Sequence, residues 1–292
     1  LFEGNIINHD HQGYYRVQYA IWTQDNTIVR NNTISCDYLE HAIYVESNCI
    51  VENNEISGDY SSDVIEINGN DVSVNNNTIN QTGGGEVIWV DGESGIEIYD
   101  NTANITSGAK FLSATASEVS VHHNLIQTNS GRGIEIYNQS GGDIYNNTLI
   151  SSSGDYGVYI HDLTELPVRN NIIVGFQNGI RDDNDLANTN LRYNDMFDIS
   201  GSQYLGTGLP VMIGQYVSEN DNGDPIDIYG NMNLDPSFAL PSEGNYELQL
   251  ISPCINAGDP SITDPDGSVS DIGAFYKDAS IEEDVYGCMD ET

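Results

Sequence analysis

One short phrase recurs along the whole of this chain, and its spacing limits the fold more than any other feature. Clear copies are "VRNNTIS" at 29–35, "VENNEIS" at 51–57, "VNNNTIN" at 74–80 and "IYNNTLI" at 144–150. Aligned on the asparagine that follows an apolar residue by three places, the copies are Asn5, Asn32, Asn54, Asn77, Asn101, Asn124, Asn147, Asn171 and Asn194. The gaps between them are 27, 22, 23, 24, 23, 23, 24 and 23 residues. A period of this size means an array of like units. Between phrases lies a second alternation, "AIWTQ" at 20, "AIYVE" at 42, "VIEIN" at 64, "VIWVD" at 87, "GIEIY" at 133 and "GVYIH" at 157. Period-two segments of this kind are short strands, about two or three per repeat. A leucine-rich repeat has a similar length but needs a Leu-rich frame and usually a helical segment, and neither is present.

A coil of short strands pairs each turn with its neighbours in parallel, roughly 4.8 Å apart, so like residues stack on like and nine turns span roughly 40 Å. Asparagine suits the bend of such a coil because it tolerates left-handed backbone and its amide can donate and accept along the stack. Two apolar columns are expected to form the core. One is Val29, Val51, Val74, Ile98, Val121, Ile144, Val168 and Leu191; the other is Ile34, Ile56, Ile79, Ile105, Ile126, Leu149 and Ile173. Function is then to be sought on the outward columns.

With 45 acidic and 8 basic residues the formal charge is −37, which argues against nucleic acid or an anionic membrane as partner. It suits solubility in salty water with calcium as counter-ion. No stretch is apolar enough to cross a membrane and no signal peptide is evident. The chain opens on "LFEGN", inside a repeat and without Met, so it is expected to be part of a longer precursor. Cys49 falls at an inward position equivalent to Val72 and Val119 and Cys36 follows a core Ile, which points to buried thiols rather than a metal site, with a disulfide between them left open. The N-x-S/T triplets at Asn31, Asn76, Asn80, Asn104, Asn138 and Asn146 arise largely from the repeat and read as structural.

In chain order, residues 1–198 form the coils, 199–227 an irregular excursion, 228–276 a last coil with Asn231 and a closing segment, and 277–292 a linker and a tail holding Cys288. His9, Asp10 and His11 near the start, and Asp182, Asp183 and Asp185 near a strand end, are weak metal candidates. The closing segment carries "LDPSF" at 234–238, "SPCINAGDP" at 252–260 and "DIGAF" at 271–275. Within it, Asp264, Asp266 and Asp271 around Gly267 alternate oxygen ligands on a tight turn, as calcium loops do, although no Glu occupies the twelfth position of an EF-hand. The asparagine phrases together with "SPCINAGDP" and "DIGAF" resemble the secreted right-handed parallel β-helix proteins of the pectate-lyase-like superfamily, especially large surface or exported proteins of marine Bacteroidetes-type bacteria. The final "YGCMDET" at 286–292 resembles the start of a short repeat found near the C-termini of such proteins, which leaves Cys288 without a partner. The resemblance implies an all-β solenoid of about ten 22–24-residue coils and an extracellular or cell-surface location. It does not choose among lyases, hydrolases, epimerases, adhesins and inactive proteins.

Stacking the later strand of each repeat gives an outward column of Trp22, Tyr44, Glu66, Trp89, Ser113, Glu135, Tyr159 and Arg181. Two residues on lie Gln24, Glu46, Asn68, Asp91, Thr115, Tyr137, His161 and Asp183. Three residues before lie Tyr19, His41, Asp63, Glu86, Lys110, Arg132, Tyr156 and Asn178. Aromatic rings (Trp22, Tyr44, Trp89, Tyr159) beside carboxylates such as Asp183 suit sugar rings, whose C–H faces pack on aromatics while their hydroxyls need partners. They also suit a stack stabilised by neighbour pairing alone. Two groups are catalytic candidates. Glu66 and Asp91 on adjacent turns fall at a diagonal of roughly 8 Å, within the range of an inverting glycosidase pair. Glu135, Tyr137, His161 and Arg181 contain a cation for an enolate-like intermediate and a base for the α-proton of a polysaccharide lyase. Lys110 or Arg132 near Asp91 is the nearest counterpart of a lyase base beside acidic ligands. A further column, Arg30, Glu52, Asn75, Tyr99, His122, Tyr145, Arg169 and Arg192, either contacts an anion or partner or offsets nearby carboxylates. The expected function is contact with polysaccharide or a cell-surface glycan; the alternatives are a lyase or glycoside hydrolase, and a structural adhesin or surface-fibre segment packing with other copies.

Overall fold

The computed structural model describes residues 1–10, 17–116, 118–137, 141–161, 166–183 and 190–278, with backbone alone at Asp10 and Ala116. Three parallel sheets of nine strands each run the length of the repeats. Strands such as Ile28–Arg30 and Val72–Asn75 build the first sheet, Thr33–Asp37 and Thr78–Gln81 the second, and His41–Val45 and Ile88–Gly92 the third. Neighbours are one repeat apart: Val74 lies between Val51 and Ile98, as period-two stacking requires. The fold is an all-β parallel β-helix. Its regular stack has nine rungs rather than ten, because the phrase at Asn231 adds only an isolated bridge from Met232 to Asp195.

The asparagines form a continuous ladder. Each Nδ2 donates to the Oδ1 of the next rung, at 2.8 Å from Asn5 to Asn32 and 2.9 Å from Asn124 to Asn147. From Asn54 to Asn194 each also donates to two backbone carbonyls, Ile98 O and His122 O in the case of Asn124. Buried bend groups that would otherwise be orphaned are thereby paired. The left-handed backbone, however, belongs to the residue before the ladder. Asn31, Asn53, Asn76, Asp100, His123, Asn146, Asn170 and Tyr193 all have φ between 50° and 55°. Asn31, Asn76 and Asn146 of the N-x-S/T triplets therefore serve the bend, while Asn80 and Asn104 stack in the second sheet; Asn138 lies outside the described residues.

The first apolar column is buried as expected. The second needs one correction: Ala103, not Ile105, pairs with Ile79 and Ile126, and Ile105 is buried one inward position further on beside Gln81 and Thr128. A small residue in the expected column had displaced the reading by two. Cys36, Cys49 and Cys254 are free and buried, so Cys36 and Cys49 are not joined; Cys288 lies outside the described residues.

Two features of the C-terminal part depart from expectation. The strand Tyr204–Gly206 completes the third sheet, so the regular stack extends into the 199–227 segment before a short hairpin, Ser218–Glu219 with Pro225–Ile226, breaks it. The ladder then ends on a carboxylate, as Asp227 accepts from the backbone N–H of Asn231 at 3.0 Å and from its Nδ2 at 3.2 and 3.3 Å. The closing segment covers a flank as well as the end. Asn146 Nδ2 donates to Asp271 O and Gly273 O, Asp259 N donates to Asn170 Oδ1, and Arg169 bridges Asp143 and Asp259. A second apolar cluster of Ile172, Met232, Leu248, Cys254, Ile255, Ala257 and Ile272 fills the space beneath.

Candidate functional site

Each rung turns a corner before its third-sheet strand. At Ala42 and Ile43 both backbone N–H groups donate to Val64 O at 3.0 Å, and Ala42/Ile43, Val64/Ile65, Val87/Ile88 and Phe111/Leu112 are buried as successive pairs. Strict alternation fails there, and the residue three places before an outward strand position also lies outside the core. The three outward columns of the third sheet thus share one face. Their register agrees with the sequence reading: Trp22, Tyr44, Glu66, Trp89, Ser113, Glu135, Tyr159 and Arg181 pair in succession.

Toward the C-terminal rungs this face holds a dense polar cluster. Glu135 is fully buried although it points away from the core. Lys110 Nζ lies 2.7 Å from its Oε2, while Arg132 Nη1 donates to Oε1 at 2.9 Å and the Tyr137 hydroxyl donates at 2.8 Å. His161 Nε2 sits 3.0 Å from the same oxygen. Burial alone would raise this carboxyl, but the hydrogen bonds from Lys110, Tyr137 and His161 prevail and hold it at about 2. The His161 ring lies between Tyr137 and Tyr159, with centroids 4.2 and 3.7 Å away. Arg181 Nη1 donates to the Tyr156 hydroxyl and Nε to Asp183 Oδ1, both at 2.7 Å, and the guanidinium sits 4.5 Å from the Tyr159 ring centre. The Tyr159 hydroxyl donates to Asp183.

These contacts bear on the catalytic candidates. Glu135, Tyr137, His161 and Arg181 do come together, with Tyr159 and Asp183 among them. Arg181 is already engaged by Asp183 and Tyr156. Tyr137 is a poor base, since burial and its bond to Glu135 push the phenol up to about 12. Lys110 and Arg132 do not serve Asp91; Lys110 pairs with Glu86 and Glu135, and Arg132 with Glu135 and Asp155. Glu66 faces His41, whose Nδ1 is 3.3 Å from Glu66 Oε2, while Asp91 is exposed.

Toward the N-terminal rungs the face is aromatic. The Trp22 and Tyr44 rings are 6.0 Å apart at 13°, and Tyr19 stacks on His41 at 4.9 Å. Trp22 remains 49% exposed and Trp89 is half-buried. His41, Asp63 and Glu66 converge here, their ligand atoms lying within 4.8 Å of one another, and no other three metal-ligating side chains do so among the described residues. Burial, then the neighbouring Glu86 carboxylate, pushes Asp63 up to about 7. Reading along each column hides this group, because Glu66 belongs to a different column from His41 and Asp63. Comparing columns across adjacent rungs would have found it.

The other metal candidates are engaged in turns. Asp264 Oδ2 accepts from Asp271 N, Asp266 Oδ1 from Ser268, and Asp271 from Asn256 N and Lys277 N. Asp182 is buried while Asp183 faces out, and Asp185 is outside the described residues. His9 Nδ1 lies 3.3 Å from Asp37 O, and His11 is likewise outside the described residues. In the arginine column, Arg30 pairs with Glu3 and Glu52 and Arg169 with Asp143 and Asp259, which favours the offsetting of carboxylates. A cleft of about 260 Å³ between Arg192, Tyr193 and Ile226 and one of about 470 Å³ beside Cys49 and Val72 lie off the third sheet.

A family model described as a right handed beta helix region matches residues 20–173 and, in a second placement, 64–221. No curated protein matches the chain.

Proposed function

Because the chain belongs to the right-handed β-helix family, whose scaffold leaves the chemistry to outward side chains, we propose that it is an extracellular or cell-surface module contacting polysaccharide through the third sheet. The observation that carries this reading is the half-exposed Trp22 beside the nearly parallel Tyr44 ring, followed on the next rungs by Glu66 and Trp89. Ring surface for sugar C–H groups and carboxylates for hydroxyls stand in one register. The cations of this face are matched by Glu86, Glu135, Asp155 and Asp183, which favours a neutral, hydroxyl-rich glycan over a uronate. The resemblance of the asparagine phrases, "SPCINAGDP" and "DIGAF" to pectate-lyase-like secreted proteins supports the same location.

The test is binding of the purified chain to a panel of marine and plant polysaccharides. Trp22→Ala and Trp89→Ala are each expected to weaken binding at least about tenfold, for a loss of roughly 1.4 kcal/mol per ring. Binding that survives both changes overturns the reading. Failure to bind any glycan leaves the structural adhesin ahead.

The enzymatic alternative rests on His161, held 3.0 Å from the buried Glu135 between two tyrosine rings. It requires the Arg181 bonds to be exchanged for substrate. Release of unsaturated or reducing ends that stops in His161→Ala and Arg181→Ala, but continues in Glu66→Ala, would establish it.

A further inference from the structure

We propose that His41, Asp63 and Glu66 form a site for one divalent transition-metal ion. Their Cα positions are set by two adjacent rungs, through the strand His41–Val45 and the strand Ile65–Ile67 with the corner before it. His41 Nδ1 is 3.3 Å from Glu66 Oε2 and 3.8 Å from Asp63 Oδ2. Around an ion with bonds of about 2.1 Å, ligand atoms sit about 3.0 to 3.5 Å apart, so the two edges at His41 are close to what an ion needs, and the Asp63–Glu66 edge lies within 4.8 Å.

The imidazole is what separates this group from an acidic patch. His41 is 7% exposed, and its Nδ1 is buried with no hydrogen bond although two carboxylates face it. A buried nitrogen without an aligned hydrogen bond is costly even beside carboxylates, and a metal–nitrogen bond would satisfy it. The Tyr19 ring, stacked on His41 at 4.9 Å and 22°, fixes the ring orientation before any ion arrives. Glu86, on the next rung in the Asp63 column, adds a third carboxylate close by, and Lys110 stands 3.3 Å from its Oε1. The Glu66 side chain is part-exposed and gives the ion a way in. One nitrogen with carboxylate oxygens suits the Zn²⁺ or Mn²⁺ class; calcium and magnesium sites are built from oxygen alone. The inference does not depend on the glycan reading.

The experiment uses the full chain, stripped with a chelator and kept in enough salt to screen non-specific cation binding to a chain of charge −37. Zn²⁺ is titrated by calorimetry in excess Ca²⁺, and Co²⁺ is followed by its visible bands. One saturable Zn²⁺ per chain is expected. His41→Gln and Glu66→Gln should each weaken it at least about tenfold, the scale seen even for outer partners of a metal site. Asp264→Asn should leave it unchanged. Thermal melts establish that the variants fold. If His41→Gln does not fold, Zn²⁺ must still perturb the His41 ring resonances of the unaltered chain. Absence of a saturable site, binding unaffected by both substitutions, or unperturbed His41 resonances each overturns the proposal.

Discussion

Replacing Asn124 by Ala removes one step of the ladder and permits a direct test of what the repeated phrase does. The Asn124 side chain is fully buried and takes part in five hydrogen bonds of 2.9 to 3.0 Å. Without it, the Asn101 N–H and amide lose their acceptor on the next rung, the Ile98 and His122 carbonyls lose a donor, and Asn147 Oδ1 loses one of two donors. A buried polar group left unpaired costs about 1 to 3 kcal/mol. Some of these groups keep other partners and water can enter the space, so the net cost should be about 3 to 5 kcal/mol. Asn5→Ala is the control. Asn5 is exposed at the first rung and donates only to Asn32 Oδ1, so water replaces what is lost and the cost should stay below about 1 kcal/mol. Urea unfolding gives the global comparison, and amide exchange at Asn101 gives the local one, since a solenoid need not unfold in one step. If the two variants differ by less than about 1 kcal/mol, or Asn101 keeps its protection, the ladder is not what holds the bends.

Three further outcomes follow from the buried acids. Asp227→Ala should cost about 2 to 4 kcal/mol and open the segment around 206–227 to proteolysis, because Asp227 alone ends the ladder and also accepts from Gly214 N. Burial raises the carboxyl of Asp195 to about 7, so its contribution is fully present below about pH 4 and is lost as the pH rises through 7. Asp195→Asn should flatten that part of the stability profile by up to about 4 kcal/mol, measured by urea midpoints between pH 4 and 8. Glu135 has the opposite sign: held at about 2, it stabilises above its unfolded value near 4.5, and this is lost as the pH falls toward 2. Glu135→Gln should cost about 2 to 3 kcal/mol at neutral pH, less than a wholly buried pair because Lys110 and Arg132 stay part-exposed, and a neutral effect would show that the cluster is incidental.

The aligned asparagines and the period-two segments were sufficient to read a parallel solenoid, its buried valine column and the register of its outward residues. Stacking identical units one repeat apart leaves little freedom: a residue's partner is the residue one repeat away. That logic is local, and it failed where the geometry was not. The left-handed position falls on the residue before each ladder asparagine, since the bend and the amide that pairs it are adjacent tasks. The column at Ala103 could not be placed by hydrophobicity when a small residue filled it and Ile105 stood nearby. Third-sheet corners, set by shared acceptors such as Val64 O, brought neighbouring columns onto one face and joined His41 and Asp63 to Glu66. Likewise only packing decided that Lys110 and Arg132 neutralise Glu135 instead of serving Asp91, and that "DIGAF" binds the flank at Asn146 and Asn170. Period and polarity are written along the chain and determine the stack; which charges meet depends on side-chain reach between rungs, and that exists only once the coils are wound.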